Sequence, residues 1–217
     1  MIDLHTHSVF SDGELIPAEL IRRAVSAGYR ALAITDHIDY SNIDLIIPRI
    51  AQNIRMTRDH LPITVLAGAE ITHVPPALIP DIVKEARKLG AQIVVVHGET
   101  IVEPVAEGTN RAAIEAGADI LAHPGLISEE DVLFAKEKGV FLEITSRKGH
   151  SLSNGHVARL ATLHKAAMVI DTDSHSPSDL ITRAFAGQVL RSAGISAGET
   201  EEIFRNSVNI VKKAIGG

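Results

Sequence analysis

Seven β/α units closed into a barrel are the α/β fold this sequence predicts, and three observations carry the prediction. Short, Val- and Ile-rich runs alternate with helical patterns along all 217 residues, as expected of parallel strands buried on both faces and joined by helical crossovers. No linker, low-complexity segment or tandem repeat interrupts the alternation, so residues 1–217 read as one domain. A potential metal ligand stands at or just past the end of every strand. A barrel gathers those ends on one face, whereas an open sheet spreads them along an edge, too far apart to share a site.

The elements follow in order. Ile2–His5 is the first strand. Pro17–Ala27 begins a helix with proline at a first-turn position and stops at Gly28. Ala31–Thr35 is the second strand, and Asp44–His60 reads as a helix ending before Pro62. Ile63–Ala67 precedes a helix over Ala77–Leu89, stopped by Gly90. Gln92–Val96 precedes Arg111–Ala116, stopped by Gly117. Asp119–Ala122 leads to Glu129–Lys138, stopped by Gly139. Val140–Ile144 leads to Gly155–His164, and Met168–Asp171 to Asp179–Ser192. Glu199–Ile215 closes the chain with one or two helices.

Composition narrows the chemistry. The chain is 45% hydrophobic and 22% charged, with a formal net charge of −6 and only 3% aromatic residues. That balance speaks against a nucleic-acid surface, which needs a basic stripe or stacking platforms. With no cysteine, disulfides and thiolates are excluded, and any metal is held by nitrogen and oxygen. MIDLHTHS lacks the basic and apolar regions of a signal peptide, and no apolar run approaches ~18 residues. A cytoplasmic protein with no membrane partner is expected.

The strand ends carry His5 and His7, Asp36 and His37, Glu70, His97, His123, Glu143, and Asp173 and His175. With 11 histidines in the chain, chance places roughly one or two in such windows, well short of this set. Alternate strand residues point the same way, ~6.5–7 Å apart, so His5 and His7 face inward together, and Asp173 and His175 repeat the spacing. Asp3, on the same face, is expected to hold a histidine ring N–H. Convergent carboxylates in a desolvated mouth cost several kcal/mol per uncompensated charge, on the order of magnitude usual for buried ions. Divalent cations would offset that cost.

H-x-H-S at His5–Ser8, S-D-G at Ser11–Gly13, T-D-H at Thr35–His37, the lone Glu70, His97, A-H-P-G at Ala122–Gly125 and D-x-H at Asp173–His175 resemble the PHP (polymerase and histidinol phosphatase) family, in the family's order. The stand-alone histidinol-phosphatase-like members are the most similar. The resemblance implies a distorted, TIM-like (β/α)7 barrel holding two or three divalent ions, Zn, Mn or Fe. It assigns His5, His7, Glu70 and Asp173 to a first ion. Glu70 bridges to a second with His97 and His123, and Asp12, His37 and His175 hold a third. The implied reaction is hydrolysis of a small phosphate ester, a histidinol-phosphate-like monoester as leading substrate. A hydroxide between the first two ions is the nucleophile, with Glu70, Asp173 and His175 as catalytic residues.

The loop TSRKGHSLSNGH (residues 145–156) should overhang the same mouth. Arg147 and Lys148 are expected to contact phosphate, and His150 to bind substrate and donate a proton. Ser153 or Asn154 is expected to cap the next helix. Gly108–Arg111 is expected to play a similar part, with Thr109 or Asn110 as cap. Asp36 reads as a support for ligands and Glu143 as a support or substrate contact. His73, Glu99 and Glu103 read as loop residues, and His60, His156 and His164 as helix-surface ones. Two other functions fit the same residues. One is a metal hydrolase of nucleotides, phosphodiesters or amides. The other is a non-catalytic metal-binding regulatory module, which would bind metal without turnover.

Overall fold

The structure, a computed structural model, describes residues 1–216. Eight parallel strands form one sheet: β1 (Ile2–Asp3), β2 (Ala31–Ile34), β3 (His37–Ile38), β4 (Thr64–Ile71), β5 (Ile93–His97), β6 (Ile120–Ala122), β7 (Phe141–Thr145) and β8 (Met168–Asp171). Seven run in the order β1-β2-β4-β5-β6-β7-β8, and β3 pairs with β4 off that path. The barrel is nearly closed. Between β1 and β8 only a parallel bridge, Thr6 to Ser174, is made, with His7 N donating to Ser174 O at 2.8 Å.

Carboxylates take over the missing ladder. Asp171 Oδ1 accepts from Leu4 N at 2.6 Å, while Asp3 accepts from the Thr172 amide and, at 2.7 Å, from its hydroxyl. Asp3 therefore ties the seam and touches no histidine ring, contrary to the expectation that it orients one. Burial pushes its pKa up to about 6, and burial together with Asp3 raises Asp171.

The helices are α1 (Pro17–Ser26), α2 (Ile43–Thr57), α3 (Ile79–Lys88), α4 (Thr109–Glu115), α5 (Glu129–Lys138), α6 (Asn154–His164), α7 (Arg183–Ser192) and α8 (Ala197–Gly216). Helices lay apolar residues on the barrel wall; in α1 these are Leu20, Ile21 and Ala24, and in α3 Ile79, Ile82, Val83 and Ala86, while α7 packs on α8. The inward cluster is Leu4, Ala31, Ala33, Leu66, Ile93, Val95, Ile120, Ala122 and Val169, joined by Ile210 and Val211 of α8. Strand alternation explains that set: Ile93 and Val95 point in while Val94 and Val96 join the outer cluster.

Most element ends shift by one or two residues from the sequence expectation, and three departures bear on the site. The strand expected over Ile63–Ala67 continues to Ile71, because Gly68–Ile71 find partners in Ile93–Val96; Glu70 is thus within β4. The extra strand β3 places His37 beside Glu70 in register. α7 begins at Arg183, after a 3-10 turn at Pro177–Asp179 closed by a Ser176–Asp179 capping box.

Candidate metal centre

The carboxyl ends of the strands carry a cavity of about 270 Å³ lined in part by Asp12, His37, His97, Glu103, Arg147 and Asp173. A larger one, about 1100 Å³, opens beside the amino ends of β2, β4 and β5 and lacks converging ligand groups.

At the floor of the smaller cavity, His5, His7 and Glu70 bring ligand atoms within 4.8 Å of one another, as do His5, His123 and Asp173. Glu70 Oε1 is 3.2 Å from His5 Nε2 and 3.6 Å from His123 Nε2, and Asp173 Oδ1 is 3.2 Å from His7 Nε2. These atoms are buried, and His5 Nε2, both nitrogens of His7 and His123, both oxygens of Glu70 and Asp173 Oδ1 lack hydrogen-bond partners. Buried polar atoms are ordinarily satisfied. Nitrogen and oxygen ligand atoms gathered this closely in a buried pocket suit a cation between them. The donor set fits: nitrogen and oxygen only, for a borderline or hard divalent ion.

On the outer side, His7, Asp12, His37 and His175 make a second convergence. Asp12 lies 3.5 Å from His37 Nε2 and 3.2 Å from His175 Nε2. Its loop is fastened by Asp36, which accepts from the amides and hydroxyls of Ser8 and Ser11 at 2.7–3.2 Å. His97, His123 and His150 make another. The residues expected as ligands from the sequence therefore all stand at this rim.

Charge organises the group. Burial drives His7 down to about 4 against the pull of Asp173, and drives His123 down too; both are neutral rings at neutral pH. Burial acts the same way on His5 and His37, yet Glu70 outweighs it, with Glu143 for His5 and Asp12 for His37; His37 is pushed up to about 10 and His5 is raised well above the usual range. Burial also opposes ionisation of Glu70, Asp12 and Asp173, and the surrounding imidazoles hold all three below the carboxylate range.

Of the two roles expected for Glu143, the structure shows support of ligands, whereas the strand expected at Asp173 and His175 is not formed. Glu143 meets His5 Nδ1 at 2.7 Å and accepts from His123 N at 2.9 Å, so it fixes two candidate ligands and does not face substrate. Asp173 and His175 do not continue a strand: β8 ends at Asp171 and Asp173 has φ +52°. His123 likewise has φ +27°. Positive φ at non-glycine residues costs about 1–3 kcal/mol and marks functional positions.

Arg147 lines the cavity, 3.9 Å from Asp173 and 3.5 Å from Asp179. Lys148 is exposed and does not line it. The expected caps are not made. Asn154 instead accepts from Thr145 N and donates to Thr145 O, and Asn110 accepts from Glu99 N and donates to Pro124 O. Arg111 faces Glu130 and Asp131 on α5, away from any phosphate. His156 donates to Ile127 O and His164 pairs with Glu129.

Sequence reasoning missed three rim residues, Thr72, Glu103 and His73, the last read as a loop residue yet lining the cavity. Thr72 meets His37 Nδ1 at 2.7 Å. Glu103, from the loop after β5, reaches His97 at 3.1 Å, His150 at 3.3 Å and His73 at 3.8 Å. A glutamate six residues past a strand gives no periodic signal that would reveal it.

A protein of Methanocaldococcus jannaschii without a described activity is 51% identical over 202 residues, covering 92% of each chain. A probable phosphatase of Clostridium botulinum is 28% identical over 240 residues, covering 98% of this chain and 93% of its own. Among solved structures, a protein chain of the archaeal ribonuclease P complex with mature tRNA superposes with a TM-score of 0.72 at 18% identity, covering 97% of this chain and 90% of its own. Histidinol phosphate phosphatase of Lactococcus lactis, solved with zinc, L-histidinol and phosphate, gives 0.60 at 16%, covering 90% and 94%. At these identities the two structures share the fold. The model of the PHP domain matches residues 3–150, from the seam aspartate through the loop histidine at the rim, and the chain belongs to the PHP family.

Proposed function

We propose that this protein is a metal-dependent phosphoesterase that hydrolyses a small phosphate monoester. The convergence of buried, unpartnered histidine and carboxylate atoms at one rim carries the reading. His5, His7, Glu70 and Asp173 would hold one divalent ion. Glu70, with His97 and His123, would hold a second, and Asp12, His37 and His175 a third. Zn, Mn and Fe all suit these donors. Bound ions supply charge for the phosphoryl oxygens and make an attacking water more acidic.

The chain's own groups do the rest. Glu70, ionised and central, spaces the imidazoles on either side of it. Arg147 offers a planar fork to two phosphate oxygens at the cavity edge. Glu143 holds the His5 ring in one orientation, so its Nε2 stays aimed inward. A histidinol-phosphate-like monoester is the leading substrate, by analogy with the histidinol phosphate phosphatase that shares the fold. The probable phosphatase among the relatives supports the monoester reading over a regulatory one.

Metal analysis of the natively purified protein, followed by a panel of phosphomonoesters, a phosphodiester, a short oligoribonucleotide and an amide with Mn, Zn or Fe, tests it. Monoester turnover dependent on metal is expected, and Glu70→Ala should abolish it while the barrel stays folded. Turnover confined to the diester or oligonucleotide would replace the monoester assignment. Metal binding without any turnover would leave only the regulatory reading.

A further inference from the structure

Glu103 stands on the exposed loop between β5 and α4, yet its carboxylate reaches over the cavity and faces two histidines. Oε2 is 3.1 Å from His97 Nε2 and Oε1 is 3.3 Å from His150 Nε2. His150 is itself buried. Its ring stacks on His123 with centroids 4.2 Å apart, and its Nδ1 meets the Thr100 hydroxyl at 2.8 Å. That contact leaves Nε2 for the cavity. Ligand nitrogens of His97, His123 and His150 lie within 4.8 Å of one another. Neither nitrogen of His123, a residue only 2% exposed, has a hydrogen-bond partner. Glu103 presents one oxygen to each ring, Oε2 to His97 and Oε1 to His150, at the edge of that cluster.

We propose that His150 and Glu103 join Glu70, His97 and His123 around the second ion, with Glu103 the exchangeable ligand that a substrate phosphoryl group displaces. The inference rests on reading the rim as a divalent-metal centre. Five protein ligands would fill the shell of an ion that needs an open position for catalysis. Of the five, Glu103 is the one free to leave: its side chain is 39% exposed, against 3% for His97, 7% for His150 and none for Glu70. A phosphoryl oxygen replaces one anionic oxygen with another, so the charge of the site is kept. In this arrangement His150 is a ligand and not the proton donor its loop position suggests.

Full-length protein stripped of metal and titrated with Co²⁺ provides the test, read by visible absorption, metal content and calorimetry. Glu103→Gln and His150→Gln should each weaken one class of bound ion at least tenfold, alter its d–d spectrum and leave the other ions at wild-type affinity. Inorganic phosphate should bind Co²⁺-loaded Glu103→Gln severalfold more tightly than wild type. Should His150→Gln fail to fold, Glu103→Gln, on an exposed loop, still decides. Failure of the wild type to bind Co²⁺ would overturn the metal reading as a whole. Wild-type Co²⁺ affinity and spectrum in the folded variants would overturn this inference alone. Unchanged phosphate affinity in Glu103→Gln would remove the exchange role. A slower His150→Gln enzyme with unaltered metal binding would restore that residue as proton donor.

Discussion

The His37 imidazole shows how single residues are set for a cation. It sits between Asp12 and Glu70, 2.7 Å from the latter, and its pKa is pushed up to about 10 despite burial. A raised imidazole pKa means the folded, metal-free protein keeps the proton. That contributes stability fully present below the unfolded value, about 6.5, and lost as pH rises through about 10. An ion needs the neutral ring, so loading must expel the proton, and from His5 as well. Zn²⁺ titration near pH 7.5 in two buffers of different ionisation enthalpy should therefore show proton release, and apparent affinity should fall as pH falls. Identical binding enthalpies in both buffers would remove His37 and His5 from the ligand set. His7 and His123, already driven down by burial, release nothing and are the ready ligands.

Among the elements, the turns after the strands matter more than the strands. The loop after β6 carries His123 and then Gly125, whose φ is +62° and whose missing Cβ would collide with the Glu99 carbonyl. That close approach packs the β6 turn against the loop after β5, and so sets His123 beside His97, ring centroids 4.5 Å apart. Gly125→Ala should destabilise the protein by roughly 1–3 kcal/mol from backbone strain alone and reduce the number of ions bound; thermal melts and metal content read the two effects. A wild-type Tm and full metal content would show that the two loops are not coupled through this contact. The helices were legible in the sequence because proline starts and glycine stops mark them. Asn110 and Asn154 misled as caps because their partners, Pro124 and Thr145, come from other elements.

For the whole molecule, the open seam is the main consequence. β1 and β8 share one bridge and a few carboxylate contacts, and the candidate ligands His5 and His7 follow one side while Asp173 follows the other. Ions held between them would staple the barrel. Free metal at a thousandfold excess over its Kd adds about 4 kcal/mol of stability, or roughly 8–16 °C in Tm for a domain of this size. Chelation should lower the Tm accordingly, and the Leu4 and Thr172 amides at the seam should exchange faster with solvent. An unchanged Tm after measured removal of metal would show that the seam holds without ions. Among the described residues no helix is long and apolar enough to cross a membrane.

The sequence by itself determined the parallel β/α architecture and most of the candidate ligands, since apolar periodicity and the chemistry of histidine and carboxylate are local properties read along the chain. Only the tertiary structure decided which atoms share a point. It bent Asp173 and His123 off their strands and assigned Asp3 to the seam and Glu143 to His5. It also brought Glu103 to His97 and His150. Those pairings join residues far apart in the chain across the barrel mouth, where side-chain direction follows from closure and no local pattern encodes it.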